Sequence, residues 1–193
     1  MELDMRGVLI EVPASLLAER HRLGVDRFDE MWEGELHMVP PASEEHQRIG
    51  GKLHIALEPA AAAVGLLLRY ETGLFDPGAE SDSSYRVPDL VAFAPEFRSA
   101  RGVEGSAALV IEIRSPGDEA YDKIPFYRRV GVGEILIVDR DSKEVRRWVR
   151  AGDELSEAHA GDDGWHSLGA LPVRFRSEGG TLTVEGPAGT TSI

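Results

Sequence analysis

Residues 108–113, Ala108-Leu109-Val110-Ile111-Glu112-Ile113, form the most apolar strand-like run in the chain, and a carboxylate sits inside it. Side chains alternate faces along a strand, so Glu112 and Val110 point one way while Ile111 and Ile113 point the other. An unpaired charge is costly to bury. Glu112 therefore requires a cation, supplied by an internal salt bridge or by a metal. Arg114 on the same face and Lys123 downstream are the basic residues available for a salt bridge, and at this point both alternatives stand open.

The neighbouring segments build outward from this strand. Val87-Pro88-Asp89-Leu90-Val91-Ala92-Phe93 reads as a second central strand, entered through a proline, with Asp89 at its start. The loop holding Gly102 and Gly105 permits antiparallel pairing of the two strands, which carry Asp89 and Glu112 respectively. Beyond Ser115-Pro116-Gly117, residues Pro125 to Val130 read as a short helix stopped by Gly131-Val132-Gly133. Glu134 to Asp139 is a further core strand, and Asp141-Ser142 turns the chain into Lys143 to Val149 as a hairpin.

Upstream, Ala14 to Leu23 lies between Pro13 and Gly24 and reads as a helix. Phe28 to Trp32 reads as a second short helical turn, and Gly34 to Val39 as a short strand stopped by Pro40-Pro41. Ser43 is the expected N-cap of a long helix with His46 at its third position; Ile49, Leu53, Ala56, Leu57 and Ala60 follow along one face. Leu66 to Tyr70 is strand-like, and Asp76 to Ser84 is a polar loop. Segments within 154–159, 164–168, 173–175 and 181–184 suggest short antiparallel strands. The expected architecture is an α/β sandwich around a mixed sheet flanked by helices, with extra antiparallel strands at the C-terminal end. Residues 1–185 are expected to form a single domain and 186–193 a flexible, frayed tail.

Composition narrows the class. The chain has 193 residues, 42% hydrophobic and 28% charged, which suits one globular domain. No run of apolar residues is long enough to span a membrane. The N-terminus carries Glu2 and Asp4 where a secretory signal would be basic, and there are no cysteines, so a cytoplasmic protein without disulfides, thiolate metal sites or a cysteine nucleophile is expected. The formal net charge is −13, which argues against free, non-specific binding to nucleic acid. It leaves open a site that meets phosphate through bound cations, because divalent ions invert the local sign. The six histidines show no HExxH spacing, and neither a GxSxG elbow nor a Walker or GxGxxG loop occurs. Arg146, Arg147 and Arg150 cluster on the hairpin and read as the charged protection of a solvated edge strand, ahead of the alternative that they touch a nucleic-acid backbone.

The ordered blocks Gly34-Glu35-Leu36, Pro40-Pro41 with Glu45-His46-Gln47, Pro88-Asp89-Leu90, Glu112-Ile113 with Ser115-Pro116, Lys123 ahead of Tyr127, and Gly131-Val132 leading to Ile137-Val138-Asp139 resemble the Uma2 family of the PD-(D/E)XK restriction-endonuclease-like superfamily. The resemblance runs from about Arg27 to Val149. It implies a restriction-endonuclease-like fold in which Asp89 and Glu112 bind Mg²⁺ or Mn²⁺, with the Ile113 backbone carbonyl as a further ligand. The superfamily places a lysine two residues after the strand acid; here that residue is Arg114, and the resemblance moves the basic role to Lys123. Glu35 and His46 lie in matching blocks, Glu35 as a further carboxylate for the metal and His46 to position water or phosphate. The implied activity is Mg²⁺-dependent hydrolysis of nucleic-acid phosphodiesters, DNA ahead of RNA, by a homodimer. The alternative is a catalytically silent nuclease fold that binds or assembles.

Overall fold

The computed structural model describes residues 7–9, 12–39, 41–80 and 82–193. Glu2 and Asp4 of the N-terminus, Pro40 of the double-proline stop and Ser81 of the polar loop lie outside the described residues. In chain order the N-terminal part contains β1 (Gly7–Leu9), α1 (Ala14–Leu23), β2 (Glu30–Trp32), β3 (Glu35–Met38), α2 (Glu44–Ala63), β4 (Leu67–Tyr70), β5 (Leu74–Phe75) and β6 (Tyr85–Arg86). The central part contains β7 (Leu90–Phe93), β8 (Val103–Glu104), β9 (Leu109–Arg114), α3 (Ile124–Arg129), β10 (Glu134–Asp139) and β11 (Val145–Ala151). Short antiparallel strands follow: β12 (Glu154–Ala158), β13 (His166–Ser167), β14 (Arg174–Glu178), β15 (Thr181–Gly186) and β16 (Gly189–Ser192).

A central sheet of order β12-β11-β10-β9-β7-β4 organises the molecule. It is mixed: β9 and β10 run parallel, in register Glu112↔Ile137, while β7 pairs antiparallel with β9 through Val91↔Val110. A parallel pair needs a crossover, and α3 provides it. The parallel strands are buried on both faces, which explains their near-continuous Ile, Leu and Val content. One face packs on α2, through Ile49, Leu53, Leu57 and Ala60, and on Phe175, Leu182 and Val184 of the C-terminal sheet. The other face, carrying Val91, Val110, Ile135, Ile137 and Trp148, is covered by Phe126 and Tyr127 of α3. Glu112 belongs to this second face by its alternation with Ile111 and Ile113.

Three local expectations change. Phe28 to Trp32 was expected to be a helical turn, but Glu30–Trp32 is a strand that pairs with Glu35–Met38 in register Trp32↔Glu35. Glu33 (φ 52°) and Gly34 (φ 96°) both adopt left-handed backbone between them, the geometry of a two-residue hairpin turn whose hand suits strand twist. The segment after Glu185, expected to fray, forms β16 against β15. Ile193 is buried beneath that pair and exchanges two backbone hydrogen bonds with Leu182. The arginine-bearing strand β11 is not an edge, because β12 pairs along its outer side. Among the described residues, no helix is long and apolar enough to cross a membrane.

Candidate metal centre

Asp89 lies immediately before β7, at the end of the sheet where β9 finishes. Its Oδ2 accepts a hydrogen bond from the Ile113 backbone N–H at 2.6 Å, taking a place that a strand carbonyl would otherwise fill. Its own carbonyl accepts from the Glu71 N–H at 2.9 Å. These two bonds fix the carboxylate against the strand that carries Glu112. His46 approaches Asp89 Oδ1 through Nε2 at 3.3 Å. It is held there because α2 starts at Glu44, with the Ser43 side chain accepting from the His46 N–H at 3.3 Å. Burial disfavours the imidazolium, but Asp89, then Glu112 and the Ile113 backbone, outweigh it and raise the His46 pKa. Its Nδ1 is buried and has no partner among the described residues.

Glu112 is 4% exposed. Tyr127 donates a short hydrogen bond to its Oε1, and the Lys123 ammonium stands 3.4 Å away. Lys123 sits at the N-terminal boundary of α3, one turn from Tyr127, so a short helix delivers both groups to the same carboxylate. Burial pushes the Glu112 carboxyl up to about 8; Lys123 opposes this, while the charges of Asp89 and Glu30 add to it. Lys123 moves in the complementary direction. Burial works against its charge, but Glu112 and Glu30 overcome that and hold the ammonium protonated well above its ordinary range.

The shortage of positive charge has a plain origin: one ammonium serves two buried carboxylates. The second is Glu30, on β2, whose Oε1 lies 2.8 Å from Lys123 Nζ. Glu30 also accepts from the Val87 N–H and from Trp32 Nε1, each at 2.8 Å. Behind Trp32, the buried Arg86 guanidinium lies over the Trp32 ring at 4.1 Å and over Phe126 at 4.5 Å, and donates to the Met31 carbonyl at 2.7 Å. Arg86 thus ties the hairpin to α3.

The structure brings together Asp89, Glu112, Ile113, His46 and Lys123. It does not bring Glu35 into the group. Glu35 faces Trp32 across the hairpin and makes no hydrogen bond or ion pair with Asp89, Glu112 or Lys123, and the additional carboxylate at Lys123 is Glu30. Arg114 turns to Asp139, donating from Nη1 at 2.8 Å, so the salt-bridge partner of Glu112 is Lys123.

Among the described residues, no three His, Asp or Glu side chains form a ready-made metal cage. A hard ion such as Mg²⁺ does not need one, since it is usually held by one or two carboxylates with water and phosphate completing the shell. Asp89 and Glu112 supply two such carboxylates; burial favours the neutral form of Glu112, and a cation placed between the two would favour the charged form instead. The donor set fits a hard divalent ion.

The family model Uma2, described as "Putative restriction endonuclease", matches residues 25–185. The chain belongs to the Uma2 family. Its fold is similar to a crystal structure described as a "putative nuclease belonging to DUF820" from Anabaena variabilis, with a TM-score of 0.54 and 18% sequence identity over 67% of this chain and 75% of that chain. At that identity the likeness bears on the fold alone, and it agrees with the mixed sheet expected from the sequence. None of the curated proteins matches the chain.

Within this Uma2 domain, Glu30 and Arg86 escaped the sequence reading. The Glu33-Gly34 dipeptide was the available signal, since a two-residue turn between Met31-Trp32 and Glu35-Leu36 makes the preceding residues a strand and sets Glu30 opposite His37. Arg86 carried no signal beyond lying just before Pro88-Asp89.

Proposed function

We propose that this Uma2-family chain is a Mg²⁺-dependent endonuclease that hydrolyses phosphodiester bonds of nucleic acid. The observation that carries the proposal is the pairing of Asp89 with Glu112, two carboxylates level with each other on adjacent strands, Asp89 held by the Ile113 N–H and Glu112 by Tyr127 and Lys123. Asp89, Glu112 and the Ile113 carbonyl are the residues that would hold Mg²⁺ or Mn²⁺, and the ion when bound would polarise the phosphodiester and acidify a water molecule. Lys123 stands as an ammonium between Glu112 and Glu30, and its proposed role is to offset negative charge that develops on phosphate. Tyr127 and Glu30 orient Glu112 and Lys123, and His46 orients Asp89 and is poised to contact water or phosphate. DNA is the proposed substrate ahead of RNA, and a homodimer is the proposed acting form, because cutting both strands of a duplex takes two sites.

The test is a cleavage assay with Mg²⁺ or Mn²⁺ on single-stranded and duplex DNA and on RNA. Cleavage that requires the ion and disappears in Asp89→Asn and Glu112→Gln is the expected result; cleavage surviving both substitutions would remove the assignment. A second reading, a silent binding module, is favoured by Arg114 standing two residues after Glu112, where a lysine would be expected, and by the net charge of −13. Metal binding without cleavage of any of these substrates would favour it.

A further inference from the structure

The face of the central sheet that holds Glu112 continues past the centre into a shelf that none of the roles above uses. Glu112, Ile137 and Arg146 are aligned across β9, β10 and β11. At the usual strand spacing this sets Arg146 about 10 Å from Glu112, and Arg114 is about 7 Å further along β9. Tyr121, two residues before Lys123, lies between the two arginines: the Arg114 guanidinium is 5.4 Å from its ring centroid and that of Arg146 is 5.1 Å away. Arg146 also stands 5.1 Å from the Trp148 ring, and Trp148 meets Tyr121 edge-on at 5.9 Å. The Arg114 and Arg146 side chains are 31% and 46% exposed, in contrast to the buried centre beside them.

Each arginine is braced by a carboxylate without being used up by it. Arg146 grips Glu157 through Nε and one terminal nitrogen, both at 2.7 Å. Arg114 bonds Asp139 through Nη1 alone, and its Nε is buried with no partner among the described residues. A guanidinium held by an aromatic ring and a carboxylate has lost most of its rotamer freedom before any ligand arrives, which favours planar recognition of phosphate.

We infer that Arg114 and Arg146, held by Tyr121, form the docking surface for the sugar-phosphate backbone of the substrate strand on one side of the scissile bond. This rests on the nuclease reading of Asp89 and Glu112. The rise per nucleotide of about 3.4 Å in duplex DNA sets the two arginines two to three nucleotides from the centre. In a chain of net charge −13, such a shelf turns guanidinium N–H groups toward phosphate beside an acidic centre.

The experiment measures binding of labelled single-stranded and duplex DNA by fluorescence anisotropy over a range of salt concentrations, on an Asp89→Asn background that blocks cleavage. Arg114→Gln and Arg146→Gln, which remove the charge and keep a polar side chain, are each expected to weaken binding about tenfold and to lower the slope of log affinity against log salt by about one. Arg146→Lys is expected to restore the slope, and Arg22→Ala on α1 to change neither quantity. Melting curves of every variant identify any that fail to fold; Tyr121→Leu, which releases both guanidinium groups while leaving their charge, then gives an independent reading and is expected to weaken binding at nearly constant slope. Unchanged affinity and slope in the arginine variants of a protein that binds DNA, and whose parent cleaves it, overturn the shelf while leaving the nuclease reading intact. Absence of both binding and cleavage in the parent chain overturns both.

Discussion

The Lys123 ammonium lies 2.8 Å from Glu30 Oε1, so a residue of the β2–β3 hairpin helps to set the cation that faces Glu112. Glu30 acts through Lys123, much as an outer-shell group acts through a metal ligand. Glu30→Gln is expected to lower cleavage by about 10–100-fold, whereas Glu35→Gln leaves it unchanged. Steady-state cleavage rates of the two variants, compared at saturating metal, check this pair.

Removing Lys123 strands two carboxylates. Breaking a buried ion pair from one side costs about 3–5 kcal/mol, and Lys123→Met is expected to lose stability on that scale. For a chain of this size that corresponds to a fall in melting temperature of roughly 10 °C. Adding Glu30→Gln to Lys123→Met is expected to recover part of the loss, because one of the stranded charges is gone. Thermal melts of the two single variants and the double variant decide whether the coupling exists.

Metal is expected to stabilise the fold. At a free Mn²⁺ concentration about 100 times its dissociation constant, binding to the native state alone adds about 2.7 kcal/mol, a rise of roughly 5–10 °C. Asp89→Asn and Glu112→Gln should abolish the rise while leaving the response to monovalent salt unaltered. Equal rises in the parent and in both variants would mean that the ion binds elsewhere.

A pH dependence follows from Asp139, at the end of β10. Burial raises its carboxyl, but the Ser142 N–H and hydroxyl, the Asp141 N–H and Arg114 outweigh that, and the net shift is downward. A carboxyl whose pKa is lower folded than unfolded contributes stability above its unfolded value, and the contribution disappears as pH falls through the folded value. Asp139→Ala is therefore expected to cost about 1–3 kcal/mol at neutral pH, the scale of hydrogen bonds to a charged group. The gap to the parent chain should close as pH falls below the ordinary aspartate range and through the lowered folded value. Urea titrations at several pH values measure it.

The central sheet was legible because its signals are local. Leu109 to Ile113 and Glu134 to Asp139 are too apolar and too short for anything but buried strands, and Ser43 marks the start of α2 by its side chain. Asp89 and Glu112 stood out for the same reason, as charges adjoining or interrupting apolar runs. Glu30 did not, because Asp29-Glu30-Met31-Trp32 alternates too briefly to separate a strand from a turn, and the register that aims Glu30 at Lys123 is set by distant contacts with Tyr85 and Arg86. The C-terminal end misled for a related reason. Gly186 to Ser192 is small and polar, and nothing in its composition reveals that it pairs with β15 and leads into the buried Ile193.

The hydrogen bond from the Ile113 N–H to Asp89 Oδ2 has a bearing on how such proteins diversify. The acid is written into the ladder of the sheet, so the loops around the rim can drift in length and composition without disturbing it. On the nuclease reading, side chains at the edge of the site, such as Arg114 at the end of β9 and Tyr121, can then change while the interior stays as it is. The opposite route is closed: a strand that slips by one residue turns Glu112 into the opposite core, and the lineage that takes that step loses the fold and the chemistry together.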